Sequence, residues 1–188
     1  MQVGPGTDLG SGMLLDLTSG ADASLEIGSA CVFENAIRLQ ILGGRLQIGD
    51  ASEVRDSAVL KVSMPTAQLR LGHHVKVGRG ATVHCRDQVS IEDYATLGER
   101  VTVVDSFHDV DGSDVWTMEQ PVGSGPVHIG RNVLVLSGAV VLHGVTIGRN
   151  AVVAANAIVP SGDHAPGCVL FGVPARAVRR LPCAPADE

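Results

Sequence analysis

IGRNVL-VLSGAV-VLHGVT-IGRNAV-VAANAI-VPSGDH, residues 129–164, sets a branched apolar residue at every sixth position: Ile129, Val135, Val141, Ile147, Val153 and Val159. The fifth residue of the first five hexads is small or β-branched: Val133, Ala139, Val145, Ala151 and Ala157. A period of six fits neither a helix at 3.6 residues per turn nor a simple alternating strand. It fits a prism-shaped parallel β-helix, in which three six-residue rungs close one triangular coil and the first residue of each hexad points to the axis. Hexad spacing predicts the left-handed form, an exception to the right-handed crossover rule. The expected fold class is therefore all-β, a single-domain left-handed parallel β-helix.

The same beat runs outward toward the N-terminus. It appears at Ile27, Phe33 and Leu39, then Ile48, Val54 and Leu60, then Leu71, Val77 and Val83, then Ile91, Leu97 and Val103. Slips of a few residues between these sets predict short corner loops. The largest interruption is DSFHDVDGSDVWTMEQPVGSGP, about 105–126, a polar stretch holding the only Trp, Trp116. One long loop ejected from a regular solenoid points to function or to an oligomer contact. Residues 1–23 are irregular and predict a cap or a first imperfect coil. The β-helix is expected over 24–176, with a short tail at 177–188. Six to seven coils are expected in all.

Composition agrees with a narrow stacked core. Of 188 residues, 45% are hydrophobic but only 3% aromatic, and 23 are glycine, which serves tight corners at positive φ. Cys31, Cys85, Cys168 and Cys183 form neither a CxxC pair nor a disulfide framework, which favours a reducing compartment. The N-terminus has no basic region followed by an apolar run, so a cytoplasmic protein without membrane insertion is the expectation. A net charge of −6 argues against nucleic acid as a partner. A polyanionic ligand would need a local basic patch, for which Arg176, Arg179 and Arg180 in ARAVRR are candidates; a solvated basic tail is the alternative.

Residues eighteen apart stack in neighbouring coils of such a helix, about 4.8 Å away. Arg131 then lies over Arg149 and Asn132 over Asn150. The Asn pair reads as an amide ladder. The Arg pair brings like charges together and reads either as a solvated face or as an anion site. The seven histidines (His73, His74, His84, His108, His128, His143, His164) show no HxxxH or HExxH spacing for a metal. His108 stands apart, because it opens the long loop directly after the coil ending VTVVDS.

Three motifs, DSFH before the long loop, then PVHIGRNVLVLSGAVVLHGVTIGRNAVVAANAIV, then APGCVLFGVPARAVRRL, resemble the hexapeptide-repeat acyltransferases, in particular sugar O-acetyltransferases. The resemblance is close from Val101 to Leu181 and looser from about Leu25. It implies acetyl-coenzyme A as co-substrate, a hydroxyl of a sugar or glycosylated molecule as acceptor, and a homotrimer with active sites between subunits. His108 matches the family's general base. Imidazole suits that task, since it titrates near neutral pH and can take the proton of a poorly nucleophilic hydroxyl. Asp105 is implied to orient the ring or contact the acceptor.

Ser137 matches a residue beside the thioester, where its backbone N–H would serve the developing oxyanion. Ala155 matches a small residue on the pantetheine arm. Arg176 and Arg179 match basic residues near the phosphates. Ser161 stands at a coenzyme position where some relatives carry Lys, and Pro160 where they carry Thr. Trp116 and Leu134 are the acceptor-wall candidates, with Leu134 where many relatives have Trp and Leu136 where they have Gly. Gly78 lies near an acceptor-binding Asn of the galactoside-type enzymes. In the related gamma-class carbonic anhydrases two zinc-binding His sit five residues apart; here His143 fills the second place and Gly138 the first, so no metal is expected. N-acetylation of an amino sugar, a longer acyl donor and a non-catalytic β-helix scaffold remain the alternatives.

Overall fold

The computed structural model describes residues 1–17 and 23–182. Residues 18–22 of the expected cap, and Cys183 with the rest of the expected tail, lie outside the described residues. The chain winds into a three-sided solenoid whose faces are sheets of eight, nine and seven strands, all parallel except for one antiparallel edge strand on the second face. Ser24–Ile27, Val32–Phe33 and Arg38–Ile41, for example, form the first, second and third sides of one coil. Each strand pairs in parallel with its counterpart one coil on: Glu26 with Gln47, Gln47 with Arg70, and Arg70 with Ser90. A winding of this kind pairs residues far apart in sequence and leaves a hollow for side chains only at the axis.

The hexad residues fill that axis. Phe33, Leu39, Leu60, Ile129, Val141 and Val153 are all at most 1% exposed. So are the small fifth-position residues Val133, Ala139, Val145, Ala151 and Ala157. They precede the next hexad residue by two, and two residues along a strand share a face. The core is therefore one continuous apolar column, stabilised by roughly 25 cal/mol for each Å² of apolar surface withdrawn from water.

All length variation falls on one corner. From first face to second the inward residues keep their spacing of six (Ile27 to Phe33, Leu71 to Val77, Ile147 to Val153), and so do those from second to third (Phe33 to Leu39, Val77 to Val83, Val153 to Val159). Among the described residues, insertions leave between the third face and the next first face: Leu42–Gly44, Ser63–Ala67, Arg86–Asp87 and the loop from Asp105 to Pro126. Hence a coil is eighteen residues long between His128 and Thr146 but longer between Ser90 and His128, where the loop intervenes.

At the other two corners one residue of each turn adopts the left-handed conformation. Among the described residues Ala30, Ala36, Ala51, Ser57, His74, Tyr94, Arg100, Asn132, Asn150 and Asn156 do so with φ between 54° and 61°. Asn132 Nδ2 donates to Asn150 Oδ1 at 2.8 Å, the expected amide ladder. The expected stacking of Arg131 on Arg149 is modified: Arg131 folds back, with its guanidinium 4.5 Å over the Tyr94 ring and Nη1 3.4 Å from Asp93 Oδ2. Opposite charge and an aromatic face draw it to the preceding coil.

The expectation of six to seven coils falls short, because the first face has eight strands. Gln2–Val3, Asp8–Leu9 and Leu14–Leu17 form a regular first coil against the second. Its apolar residues Val3, Leu9, Leu14 and Leu17 are 40–50% exposed. At the other end Ala175–Arg180 pairs antiparallel with Cys168–Gly172 and covers the open edge of the second face. Among the described residues no helix is long and apolar enough to cross a membrane.

The corner geometry makes a stability prediction. Ala36 is exposed and holds φ 55°, a conformation that costs an L-residue about 1–2 kcal/mol. Ala36→Gly is expected to raise unfolding stability by roughly 0.5–1 kcal/mol after the added freedom of the unfolded chain is subtracted. Gly98→Ala is expected to lower it by about 1–3 kcal/mol, since a Cβ there would stand 2.8 Å from Ser137 N. Denaturant titrations of both variants check the pair; a destabilised Ala36→Gly would show that the corner is unstrained.

Candidate functional site

The long loop leaves the solenoid through a two-stranded antiparallel hairpin, Ser106–His108 against Val122–Ser124. Phe107 faces Gly123 across it, and a Cβ at Gly123 would run into the Phe107 ring. The missing side chain lets the ring lie flat across its partner strand. Phe107 then meets the His143 ring of the next coil, with centroids 4.2 Å apart and planes tilted by 32°. One coil further on, Ser161 Oγ donates to the His143 carbonyl at 2.7 Å. Phe107, His143 and Ser161 thus form a column that fastens the loop base to the solenoid. His108, next in the strand, is exposed.

His108 borders a cleft of about 470 Å³, within the range of small-molecule sites. Its walls include Lys61, Ser63, His84, Arg86, Phe107 and Met118. His84 Nε2 is 3.3 Å from Ser63 Oγ, and that hydroxyl donates to the Cys85 carbonyl at 3.2 Å. Burial holds the His84 imidazole below its ordinary pKa; the Lys61 and Arg86 charges push the same way, while Asp105 opposes them. These contributions favour the neutral ring over the charged one.

Asp105 does not fit the role of orienting His108. It is 0% exposed, and its two carboxylate oxygens accept the backbone N–H of Arg86 at 2.8 Å and of Asp87 at 2.7 Å. A buried carboxylate needs such partners, and these come from the coil before it, not from the loop. Asp105 instead anchors the point at which the loop departs. Gly78 offers no acceptor contact through a side chain either, because a Cβ there would lie 2.5 Å from the Gly98 carbonyl carbon.

The other candidates divide between corners. Ser161 shares the corner of His108, whereas Ser137 and Ala155 lie on the corner between the second and third faces, one coil apart, with Asn156 N donating to Ser137 O at 3.0 Å. Ala155 is exposed there. Leu134, 38% exposed, points outward from the second face, and Trp116, 66% exposed, sits on the loop away from the cleft walls. One chain does not bring Ser137, Ala155 and Leu134 together with His108.

Arg176 and Arg179 come together in a way their spacing does not suggest. In an even strand, residues three apart point to opposite faces. Here a bulge between Val169 and Leu170 shifts the register, so Arg179 pairs with Val169 and Arg176 with Phe171. Val169 and Phe171 are both on the outward side, whereas Cys168 and Leu170 are buried. The bulge therefore sets both arginines on one outward face.

Lys61, His84, Arg86 and Phe107 escaped the sequence reading. They sit at outward strand positions or corners, and only their place beside the unusual loop gives them meaning. Among the described residues no group of His, Cys, Asp or Glu has metal-binding arrangement. Gly138 holds φ 72°, a conformation strained for any residue with a Cβ, and a Cβ there would require Asn156 Oδ1 to move.

The family model for bacterial transferase hexapeptide (six repeats) matches residues 126–161. No curated protein sequence matches the chain. A Bacillus cereus protein assigned to the acetyltransferases superposes with TM-score 0.63 at 18% identity, over 90% of this chain and 84% of its own. AntD, an N-acyltransferase from Bacillus cereus, seen as a serine-to-alanine mutant with dTDP-4-amino-4,6-dideoxyglucose and coenzyme A, gives 0.61 at 17% identity, over 92% and 83%. A hexapeptide-repeat-containing acetyltransferase from Vibrio cholerae, complexed with acetyl-coenzyme A, gives 0.50 at 22% identity, over 92% and 72%. The sequence resemblance and the architecture therefore agree: residues 126–161 match the bacterial transferase hexapeptide model, and the chain shares the fold of the solved hexapeptide-repeat acetyltransferases.

Proposed function

We propose that the chain is an acetyl-coenzyme A-dependent O-acetyltransferase, acting on a hydroxyl of a sugar or glycosylated acceptor by direct transfer. The observation that carries this reading is His108: an exposed imidazole on a hairpin pinned to the solenoid, at the edge of a cleft large enough for a small acceptor. The acceptor oxygen attacks the thioester carbon as its proton passes to the His108 imidazole. A backbone N–H near Ser137 would receive the negative charge on the carbonyl oxygen. Collapse of the tetrahedral adduct breaks the C–S bond, and His108 returns the proton to the coenzyme A thiolate.

Direct transfer suits the cysteines as well. Cys31, Cys85 and Cys168 are buried, and burial pushes the Cys85 thiol up to about 12. The thiolate is the nucleophilic form, so Cys85 is a poor acceptor of an acetyl group. Arg176 and Arg179, side by side on the outward face of the terminal hairpin, fit the coenzyme phosphates. Because His108 lies at one corner and Ser137 and Ala155 at another, the reading includes a homotrimer of left-handed helices. In it the loop of one subunit, with Trp116, covers the Ser137, Ala155 and Leu134 side of its neighbour. The cytoplasm, with its acetyl-coenzyme A, is the compartment this chemistry requires.

His108→Ala is expected to lower kcat by roughly 10²–10⁴-fold, the contribution of a positioned base, while coenzyme binding persists. Thiol release from acetyl-coenzyme A with a panel of sugars measures it, and turnover indifferent to the change would refute the mechanism. Treating the product with hydroxylamine separates the two acceptor chemistries, since an O-acetyl ester is cleaved and the amide of an N-acetylated amino sugar is not.

Arg176→Ala with Arg179→Ala is expected to weaken coenzyme A roughly tenfold or more, through lost charge-assisted bonds. The wild-type affinity should itself fall as salt rises. Calorimetry with unchanged affinity in the double variant would remove these arginines from the coenzyme site.

A further inference from the structure

The cleft beside His108 carries a charge pattern that acetyl transfer alone does not require. Lys61 and Arg86 line it together with His84 and His108, and no carboxylate is among its walls. The chain as a whole is at −6. Four other basic side chains are held by carboxylates, Arg55 and Lys76 by Glu53, Arg79 by Asp56 and Arg131 by Asp93. Among the described residues no ion pair holds Lys61 or Arg86. We propose that this cleft receives the phosphoryl group of the acceptor, a phosphate or diphosphate on the sugar, with Lys61 and Arg86 binding its oxygens and His84 between them. The inference rests on the reading of His108 as the acyl-transfer base.

The lattice of the third face builds the arrangement. Lys61 and His84 are register partners on adjacent strands, and His84 is in turn the partner of Val104, next to the buried Asp105. Arg86 follows two residues after His84, where Asp105 fixes its backbone N–H. The three basic groups are thus held by sheet and corner rather than by the loop. Paired cations one coil apart suit an anion with several oxygens, and the Arg fork matches a phosphoryl group with two parallel bonds. Asp105 faces away, its oxygens bound to the backbone of Arg86 and Asp87. Asp109, beside His108, is exposed and outside the cleft walls. Phe107 and Met118 supply an apolar wall for the rest of the acceptor.

The groups acting on His84 give a local probe. Lys61 and Arg86 help hold its imidazole neutral, and Asp105 opposes them. A dianion seated between the cations would reverse that balance and raise the His84 titration midpoint. The experiment follows the ¹⁵N-labelled His84 ring by NMR in the full-length protein, with inorganic pyrophosphate, inorganic phosphate and acetate as probes. Pyrophosphate is expected to raise the midpoint, less so as salt increases, and to fail to do so in a variant with Lys61→Met and Arg86→Met. A midpoint unmoved by pyrophosphate, or moved equally by acetate, overturns the phosphoryl assignment whether or not the protein transfers acetyl groups.

The second arm measures turnover on glucose, glucose 1-phosphate and UDP-glucose. The double variant is expected to lower kcat/KM for a phosphorylated acceptor, relative to glucose, by roughly tenfold or more. Preference for glucose 1-phosphate marks a phosphosugar, and preference for UDP-glucose a nucleotide-linked one. Acetyl transfer that prefers glucose and ignores the double variant overturns the inference while His108 chemistry stands. A pyrophosphate shift at His84 without acetyl transfer supports the anion site while the acyltransferase reading fails. Light scattering provides the remaining outcome: if the double variant dissociates and pyrophosphate does not bind the wild type, the cations serve a carboxylate of a second copy, and the inference is overturned.

Discussion

Every coil of this solenoid depends on corner residues that turn the chain through the left-handed region. That conformation is unfavourable for any residue with a Cβ, yet Ala30, Ala51, His74, Tyr94, Asn132 and Asn150 adopt it in succession down one corner. The compensation is a hydrogen bond that no other geometry would allow. The corner N–H turns back to the coil before it: Ala51 to the Ser29 carbonyl, His74 to Asp50, Tyr94 to His73, Asn132 to Asp93 and Asn150 to Arg131, all at 2.9 Å. Strand N–H groups run the other way, as from Gly28 to Ile48 O and from Gly49 to Leu71 O. Each coil is thus clamped in both directions, and no buried polar side-chain atom among the described residues lacks a partner. Two corners locked in this manner cannot accept an inserted residue without losing register with both neighbours.

The third corner is where the chain is free to differ. Its turns vary in length, and the loop with His108 leaves from it, as do the lining residues of the cleft at Arg86 and Ser106. The irregular features thus collect where the repeat tolerates insertion, while the corner between the second and third faces holds Ser137 and Ala155 one coil apart.

The legible part of the sequence was the part governed by repetition. Spacing of six fixed the inward residues from Ile27 to Val159, and the slips between hexad sets marked the variable corner. Pairings determined by one local irregularity were not legible. Arg176 and Arg179 share a face only because of the bulge at Val169, which no spacing rule anticipates. Asp105 reads as a partner of His108 by proximity in the chain, but a carboxylate at the end of an inward-alternating strand follows the pleat and is buried. Leu14 and Leu17 obscured the first coil, since apolar residues at a solenoid end remain exposed and lose the contrast with polar neighbours. Lys61 and Arg86 are ordinary outward residues until the sheet register stacks them beside the loop.

The hairpin at the loop base explains how a long insertion can still present a well-placed imidazole. A loop of this length would spread His108 over many positions if it joined the solenoid only through its ends. Instead, three ladder positions, Ser106 with Ser124, Phe107 with Gly123 and His108 with Val122, bring its two limbs together at once. Gly123 gives Phe107 the space to reach His143, and Ser161 secures His143 from the coil beyond. Below the hairpin, Asp105 ties the departing chain to Arg86 and Asp87. Order therefore passes from solenoid to hairpin to His108 within a few residues, while the loop tip keeps Val115, Trp116 and Met118 exposed. The position of the His108 imidazole is thus set by the scaffold rather than by the loop.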